Sequence, residues 1–343
     1  MSRPYLAAVY HGDERLVLER LDQRALGPDE IRLRPLAAGI CGTDLHILHG
    51  AFRARPPVVL GHEFAGEIVD VGADVAHVGV GDVVSIEPHH VCRSCKHCTD
   101  GREHLCVARQ GFGVHRHGGF AEEAVVPAIN AYVVPTGMMP QVAALAEPLG
   151  CCLHGIERAG IRQGDDVLVC GAGPIGLMLA RLASRAGAAR VIVVEPNERR
   201  RSLAVGYGAS HAVDVAEAPA LVHDLTDGRG VDVALEASGA MAALQQALDL
   251  VGAGGRLVVF GVSSPEARLA ISPHRVFAEE LTILGSLVNP YAHRRALALL
   301  PGLGLDGLVT HTFALADIHQ AFGTAASGNA LKVQVVAPAS TRA

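Results

Sequence analysis

Cys92, Cys95, Cys98 and Cys106 follow the spacing C-x-x-C-x-x-C-x7-C in the stretch VCRSCKHCTDGREHLC. Thiols this close together point to a metal, and four thiolates complete a tetrahedral zinc site. An ion saturated in this way has no position left for water or substrate. The cluster therefore reads as a structural staple, not as the reacting centre. Arg93, Lys96 and His97 stand between the cysteines, which raises a nucleic-acid zinc module as a rival. One short basic patch in a chain of net charge −6 argues against it.

A second donor set is dispersed: Cys41 in GICGTDLH, His62-Glu63 in GHEFAG, and Glu147 in AEPLG. Each residue alone reads as an ordinary core or surface position. Together, beside a nucleotide fold, they form the mixed sulfur, nitrogen and oxygen set of an open catalytic zinc site. The nucleotide fold rests on Gly171-Ala172-Gly173-Pro174-Ile175-Gly176, which follows the apolar run DVLVC and opens a helical pattern. In such a turn the first glycine makes the bend, the second admits a pyrophosphate, and the third lets helix and strand pack closely. The phosphates then lie at the positive end of the helix. Glu195 ends the next apolar run, where a carboxylate accepts from the adenosine ribose hydroxyls and repels a 2′-phosphate. This favours NAD over NADP. Arg199, Arg200 and Arg201 are the opposing signal, a basic run able to meet that phosphate or simply to face solvent.

In this order, GICGTDLH, GHEFAGEIVDVG, GDVVSIEP, the four-cysteine loop, AEPLGCCLHG and VLVCGAGPIGL followed by EPN resemble the zinc-dependent medium-chain alcohol and polyol dehydrogenases over nearly the whole chain. The resemblance implies an α/β protein in which a β-rich GroES-like catalytic domain (residues 1–150) carries the structural zinc lobe. A Rossmann domain (151–289) follows, and residues 290–343 return to the catalytic part. It also implies about two zinc ions per chain. Cys41 and His62 would be ligands of the catalytic zinc, with Glu63 and Glu147 both open as its carboxylate. Thr43 would touch the reacting alcohol, His46 would relay its proton, and Asp44 would orient a ligand imidazole. Ethanol-type enzymes carry a further cysteine three residues after the Glu147 position, where this chain has Gly150. Cys151 is a minor rival ligand. This departure points to the sorbitol, butanediol and threonine dehydrogenase branch.

The reaction expected is reversible oxidation of a secondary alcohol to a ketone with hydride transfer to NAD. A polyol, cyclitol or vicinal diol is the first substrate class, and a threonine-like hydroxy amino acid the second. Tyr291 and Asn289 are candidate hydroxyl-binding residues. Two other readings stand beside this one: a zinc-free reductase of the same superfamily, and a catalytically inactive protein that binds NAD and zinc for a structural or regulatory role. The family's habit implies a homodimer or homotetramer.

These residues must be positioned by 343 residues of which 50% are hydrophobic and 19% charged, enough for two domains with a large core. EIRLRPLAAGI, GEIVDVGADV, GDVVSIEP and GGFAEEAVVP read as short strands broken by Gly, Pro and Asp. VDVALEASG and GGRLVVFGV read as buried parallel strands, with AMAALQQALDLV as a crossover helix. After about residue 290 a helix (YAHRRALALL) and a last strand (LKVQVV) flank a loop-rich stretch. Net acidity, the lack of a basic-then-apolar leader and the lack of a membrane-length apolar run predict a cytoplasmic protein without nucleic-acid or membrane partners.

Overall fold

The structure is a computed structural model that describes residues 4–338. The chain divides into two compact units, Met1–Pro148 with His293–Ala343, and Leu149–Ala292.

The first unit is built on one sheet in which strands follow the order Ala131–Val133, Val83–Ile86, Glu63–Val71, Glu30–Gly39, Lys332–Val336 and Val309–Phe313. The strand Glu30–Gly39 is its hub. It pairs antiparallel with Glu63–Val71, setting Gly39 opposite Glu63, and with Lys332–Val336, setting Gly39 opposite Gln334. Ala124–Pro127 pairs along its first half. Alternation along these strands sends Ile31, Leu33, Phe64, Ile68, Val84 and Ile86 into a core that Phe120 completes. Each large side chain buried there contributes about 1.5–3 kcal/mol of transfer free energy. A hairpin, Tyr5–Tyr10 with Leu16–Leu21, lies in a smaller sheet of this unit. The stretch expected to be loop-rich holds the strand Val309–Phe313 and the helix Ile318–Ala326. Both escape sequence reading for local reasons: VTHTF lacks a continuous apolar run, and the helix carries Gly323.

In the second unit, parallel strands follow the order His211–Val213, Arg190–Val194, Asp166–Cys170, Val231–Glu236, Val251–Val259 and Thr282–Gly285. This is the doubly wound arrangement. Its strand order reverses between Asp166–Cys170 and Val231–Glu236, and the crevice at such a reversal is where dinucleotides bind. Asp166–Cys170 is buried at every position, which explains its unbroken apolar sequence. The helix Pro174–Ala186 begins with proline, whose fixed φ suits a first turn. It ends at Gly187, whose φ of 99° closes the last turn.

Candidate metal and nucleotide sites

Cys41 precedes the helix Gly42–Leu48, and His62 and Glu63 lie where the strand Glu63–Val71 begins. One ligand atom from each of Cys41, His62 and Glu63 falls within 4.8 Å of the other two. Asp44, fully buried, ties the first two together. Its Oδ2 accepts the Cys41 backbone N–H at 2.9 Å, and its Oδ1 stands 3.4 Å from His62 Nδ1. That contact leaves Nε2 as the imidazole nitrogen for a metal. Burial alone would lower the pKa of His62, yet Asp44 and Cys41 carry it well above the ordinary imidazole value. One thiol, one imidazole and a carboxylate, converging and oriented from behind, fit zinc with a coordination position to spare. Glu147 is buried in the first turn of the helix Ala146–Ala159. Thr43 Oγ1 is 3.8 Å from Cys41 Sγ, and His46, one helical turn further, is exposed.

Lys332 was missed by sequence reasoning. The strand register places it in this group, and its Nζ donates to both oxygens of Glu63 at 2.8 and 2.7 Å and to the Ile40 carbonyl at 3.3 Å. The only local signal is a lysine at the head of the otherwise apolar strand KVQVV.

Cys92, Cys95, Cys98 and Cys106 also converge, with all four sulfurs within 4.8 Å of one another. Backbone N–H groups of Cys92, Cys95 and Ala108 point at sulfur, as they do towards metal-bound thiolates. Backbone donors from Ser94 and Cys95 draw the Cys92 thiol down to about 6, whereas burial and the neighbouring thiols push Cys98 up to about 12. A cation at the centre of the cluster is what holds all four deprotonated together. The donor set fits a closed zinc site.

At the nucleotide turn, a Cβ on Gly176 would lie 1.9 Å from the Gly171 carbonyl oxygen, so the close packing there requires glycine. A Cβ on Gly173 would meet no atom within 4 Å, leaving open space above the first helical turn. Glu195 is buried, with Oε2 accepting from Ala172 N–H at 2.7 Å and Oε1 from Asn197 N–H at 2.9 Å. Its carboxylate is thereby fixed against the glycine turn. The backbone N–H of Arg200 donates to the Asn197 side chain, which caps the short helix Glu198–Leu203. The Arg201 guanidinium donates to the carbonyls of Glu195 and Pro196 and meets Asp214. Open space, a positive helix end and a fixed acceptor fit a dinucleotide.

Beyond the strand Thr282–Gly285, Val288 (φ 48°) and Tyr291 (φ 52°) hold left-handed backbone that non-glycine residues seldom adopt. Between them Asn289 is 1% exposed, and neither its Oδ1 nor its Nδ2 has a hydrogen-bond partner. A Cβ on Gly150 would stand 3.0 Å from Asn289 Cβ and 3.3 Å from Nδ2. The asparagine thus takes the space that a cysteine at position 150 would need. Cys152 is fully buried, with Sγ 3.8 Å from the Ile175 carbonyl, while Cys151 is half-buried.

Family models match two parts of the chain: the alcohol dehydrogenase GroES-like domain over residues 27–136 and the zinc-binding dehydrogenase over residues 174–301. An L-threonine 3-dehydrogenase of Saccharopolyspora erythraea is 39% identical over 327 residues, covering 93% of this chain and 94% of the relative. A zinc-binding dehydrogenase of Sinorhizobium meliloti, solved bound to NADP, superimposes with a TM-score of 0.93 at 34% identity, covering 98% of this chain and 100% of that one. The 2R,3R-butanediol dehydrogenase of Bacillus subtilis gives 0.89 at 28% identity, with 97% and 100% covered. The chain therefore belongs to the zinc-dependent medium-chain alcohol dehydrogenases, as a zinc-binding, NAD(P)-dependent oxidoreductase acting on CH–OH groups.

Proposed function

We propose that the chain oxidises a secondary alcohol bearing a second polar group on the neighbouring carbon. Cys41 and His62 hold zinc, with Glu63 or Glu147 as carboxylate, and Gly171–Gly176 with Glu195 hold NAD. The observation that carries this reading is the buried convergence of Cys41, His62 and Glu63, oriented by Asp44. Bound zinc supplies a Lewis acid that acidifies the substrate hydroxyl, and bound NAD supplies the hydride acceptor. Thr43 Oγ1, beside Cys41, accepts the substrate hydroxyl proton as it passes its own proton on. The imidazole of His46, on the exposed side of the same helix, holds it before solvent takes it. Gly173 leaves room for the pyrophosphate, and the fixed Glu195 carboxylate favours a free ribose 2′-hydroxyl over a 2′-phosphate. The four-cysteine lobe binds a second zinc that takes no part in the chemistry.

The substrate order read from the sequence is reversed here, with a 3-hydroxy amino acid such as L-threonine placed first. Its support is the 39% identity to a named L-threonine 3-dehydrogenase across nearly all of both chains. A vicinal diol or polyol is the second reading. It is favoured by the likeness to butanediol dehydrogenase and by the neutral, unpartnered amide of Asn289, which suits hydroxyls. The test offers zinc-loaded protein L-threonine, 2,3-butanediol, sorbitol and a cyclitol, each with NAD and with NADP, and follows cofactor reduction by absorbance. Fastest NAD reduction with L-threonine is the expected result, and preference for a diol or polyol selects the second reading. No turnover of any secondary alcohol overturns both and leaves an inactive NAD- and zinc-binding protein.

A further inference from the structure

We propose that the first unit carries a second small-molecule site, a donor-lined cavity that takes a phosphate- or carboxylate-bearing metabolite. The cavity measures about 540 Å³, inside the roughly 300–1,000 Å³ range of small-ligand pockets. Arg55, Arg116, His115 and His117 line it, whereas Cys41, His62, Glu63 and Glu147 do not. It is therefore separate from the dispersed donor group, and its ligand is neither the alcohol nor the cofactor.

The charges around this cavity do not cancel. Glu30 is engaged by Arg24 through paired contacts of 2.6 and 2.7 Å and by the Gly27 N–H at 2.8 Å. Glu123 is engaged by Arg32 and Gln23. The other carboxylate of the lining, Asp22, is exposed. Among the described residues, the guanidinium groups of Arg55 and Arg116 have no carboxylate partner. Arg116 Cζ stands 5.6 Å from the Phe112 ring centroid, a cation–π contact that holds the guanidinium without using its N–H donors.

The imidazoles add donors of fixed sense. The Val59 N–H donates to His117 Nδ1 at 3.0 Å, and the Gly111 N–H to His115 Nδ1 at 3.1 Å. Each ring therefore keeps its proton on Nε2 and presents it as a donor. Burial, with Arg24 beside His117 and Arg109 and Arg55 beside His115, holds both rings below the ordinary imidazole range, so they stay neutral. Backbone contacts set the carriers in place. The Arg55 N–H donates to the Val114 carbonyl at 2.9 Å, and the Arg116 carbonyl accepts from the Gly113 N–H at 2.7 Å. Two guanidinium forks and two imidazole N–H groups thus converge on one space. An oxyanion accepts from all of them, and a guanidinium binds it through two parallel hydrogen bonds. A cation or an apolar ligand would leave those donors unpaired.

Binding is measured by equilibrium dialysis on the full zinc-loaded chain with NAD saturating, so that the glycine turn is already filled. Labelled inorganic phosphate and labelled succinate are the probes, with sodium chloride holding ionic strength constant. At least one probe should bind at one equivalent per chain with a Kd of about 1 mM or tighter. Preference for phosphate assigns the ligand to phosphate esters, and preference for succinate to carboxylates. Arg55→Gln and Arg116→Gln should each weaken binding about tenfold or more, the loss expected for hydrogen bonds to a charged group. Arg53→Gln, at an exposed arginine outside the cavity, should stay within about twofold of wild type. No saturable binding of either probe up to about 10 mM overturns the proposal. So does wild-type affinity in Arg55→Gln, which alters an exposed side chain and decides the matter even if Arg116→Gln does not fold. Displacement of the probe by L-threonine would make the cavity part of the substrate site and overturn it as a separate one.

Discussion

Asp44 is the residue through which the candidate metal donors of the first unit are held in common, since one oxygen serves the Cys41 backbone and the other faces His62. With no zinc bound, that arrangement favours a protonated His62 and raises its pKa, despite burial that acts the other way. Zinc needs the neutral ring, so uptake displaces a proton below the raised pKa and none from this residue above it. We therefore expect zinc binding below that raised pKa to release a proton from His62, with affinity weakening as pH falls. Calorimetric titrations in buffers of different ionisation enthalpy measure the release, and a buffer-independent heat in that range would refute it. Cys41, Asp44 and His62 were legible only through the resemblance carried by GICGTDLH and GHEFAG, since each alone reads as an ordinary core, turn or surface position. Lys332 is not legible. It meets Glu63 across 269 positions of chain through strand register, and no local pattern encodes that contact.

At the scale of elements, each site is held by a strand end or a tight turn. The Gly171–Gly176 turn tolerates no side chain at its third glycine, because a methyl group would collide with the Gly171 carbonyl at 1.9 Å. Gly176→Ala should therefore weaken NAD binding by about tenfold or more, at a cost of about 1–3 kcal/mol from overpacking. Fluorescence titration with reduced cofactor and a denaturation curve measure the two effects, and wild-type affinity would contradict the packing argument. The four-cysteine lobe makes a separate claim. Cys106→Ser should take the protein from about two zinc ions per chain to about one and lower its thermal stability. Turnover per remaining zinc should persist, and its collapse in protein that stays folded would mean the lobe takes part in chemistry. The parallel strands of the second unit were readable as unbroken apolar runs buried on both faces. The strand Val309–Phe313 was not, because intermediate and exposed positions alternate along it and leave no apolar signature.

Over the whole molecule, the two units differ in how the chain builds them: Leu149–Ala292 is continuous, whereas the other is drawn from two separate segments. Among the described residues no helix is long and apolar enough to cross a membrane. Since the nucleotide turn and Glu195 belong to the continuous unit, NAD at about a hundred times its Kd should stabilise it by about 2.7 kcal/mol. Thermal-shift measurements with matched NAD and NADP test this, and an equal or larger shift with NADP would reverse the cofactor preference. Fold class was recoverable from sequence because its motifs are local, and both candidate donor groups named there converge in the structure. The charge balance of the dispersed site was not recoverable, because it is closed from the second segment of a split unit.

That split sets a timetable for biosynthesis. Glu63 and Lys332 are 269 residues apart, so at 5–20 residues per second the lysine leaves the ribosome roughly 15–50 s after the glutamate. The four-cysteine lobe is complete within a few residues of Cys106 and has its whole donor set early in translation. The buried Glu63–Lys332 pair can close only once the second segment of the split unit has been made, so the first unit is completed late.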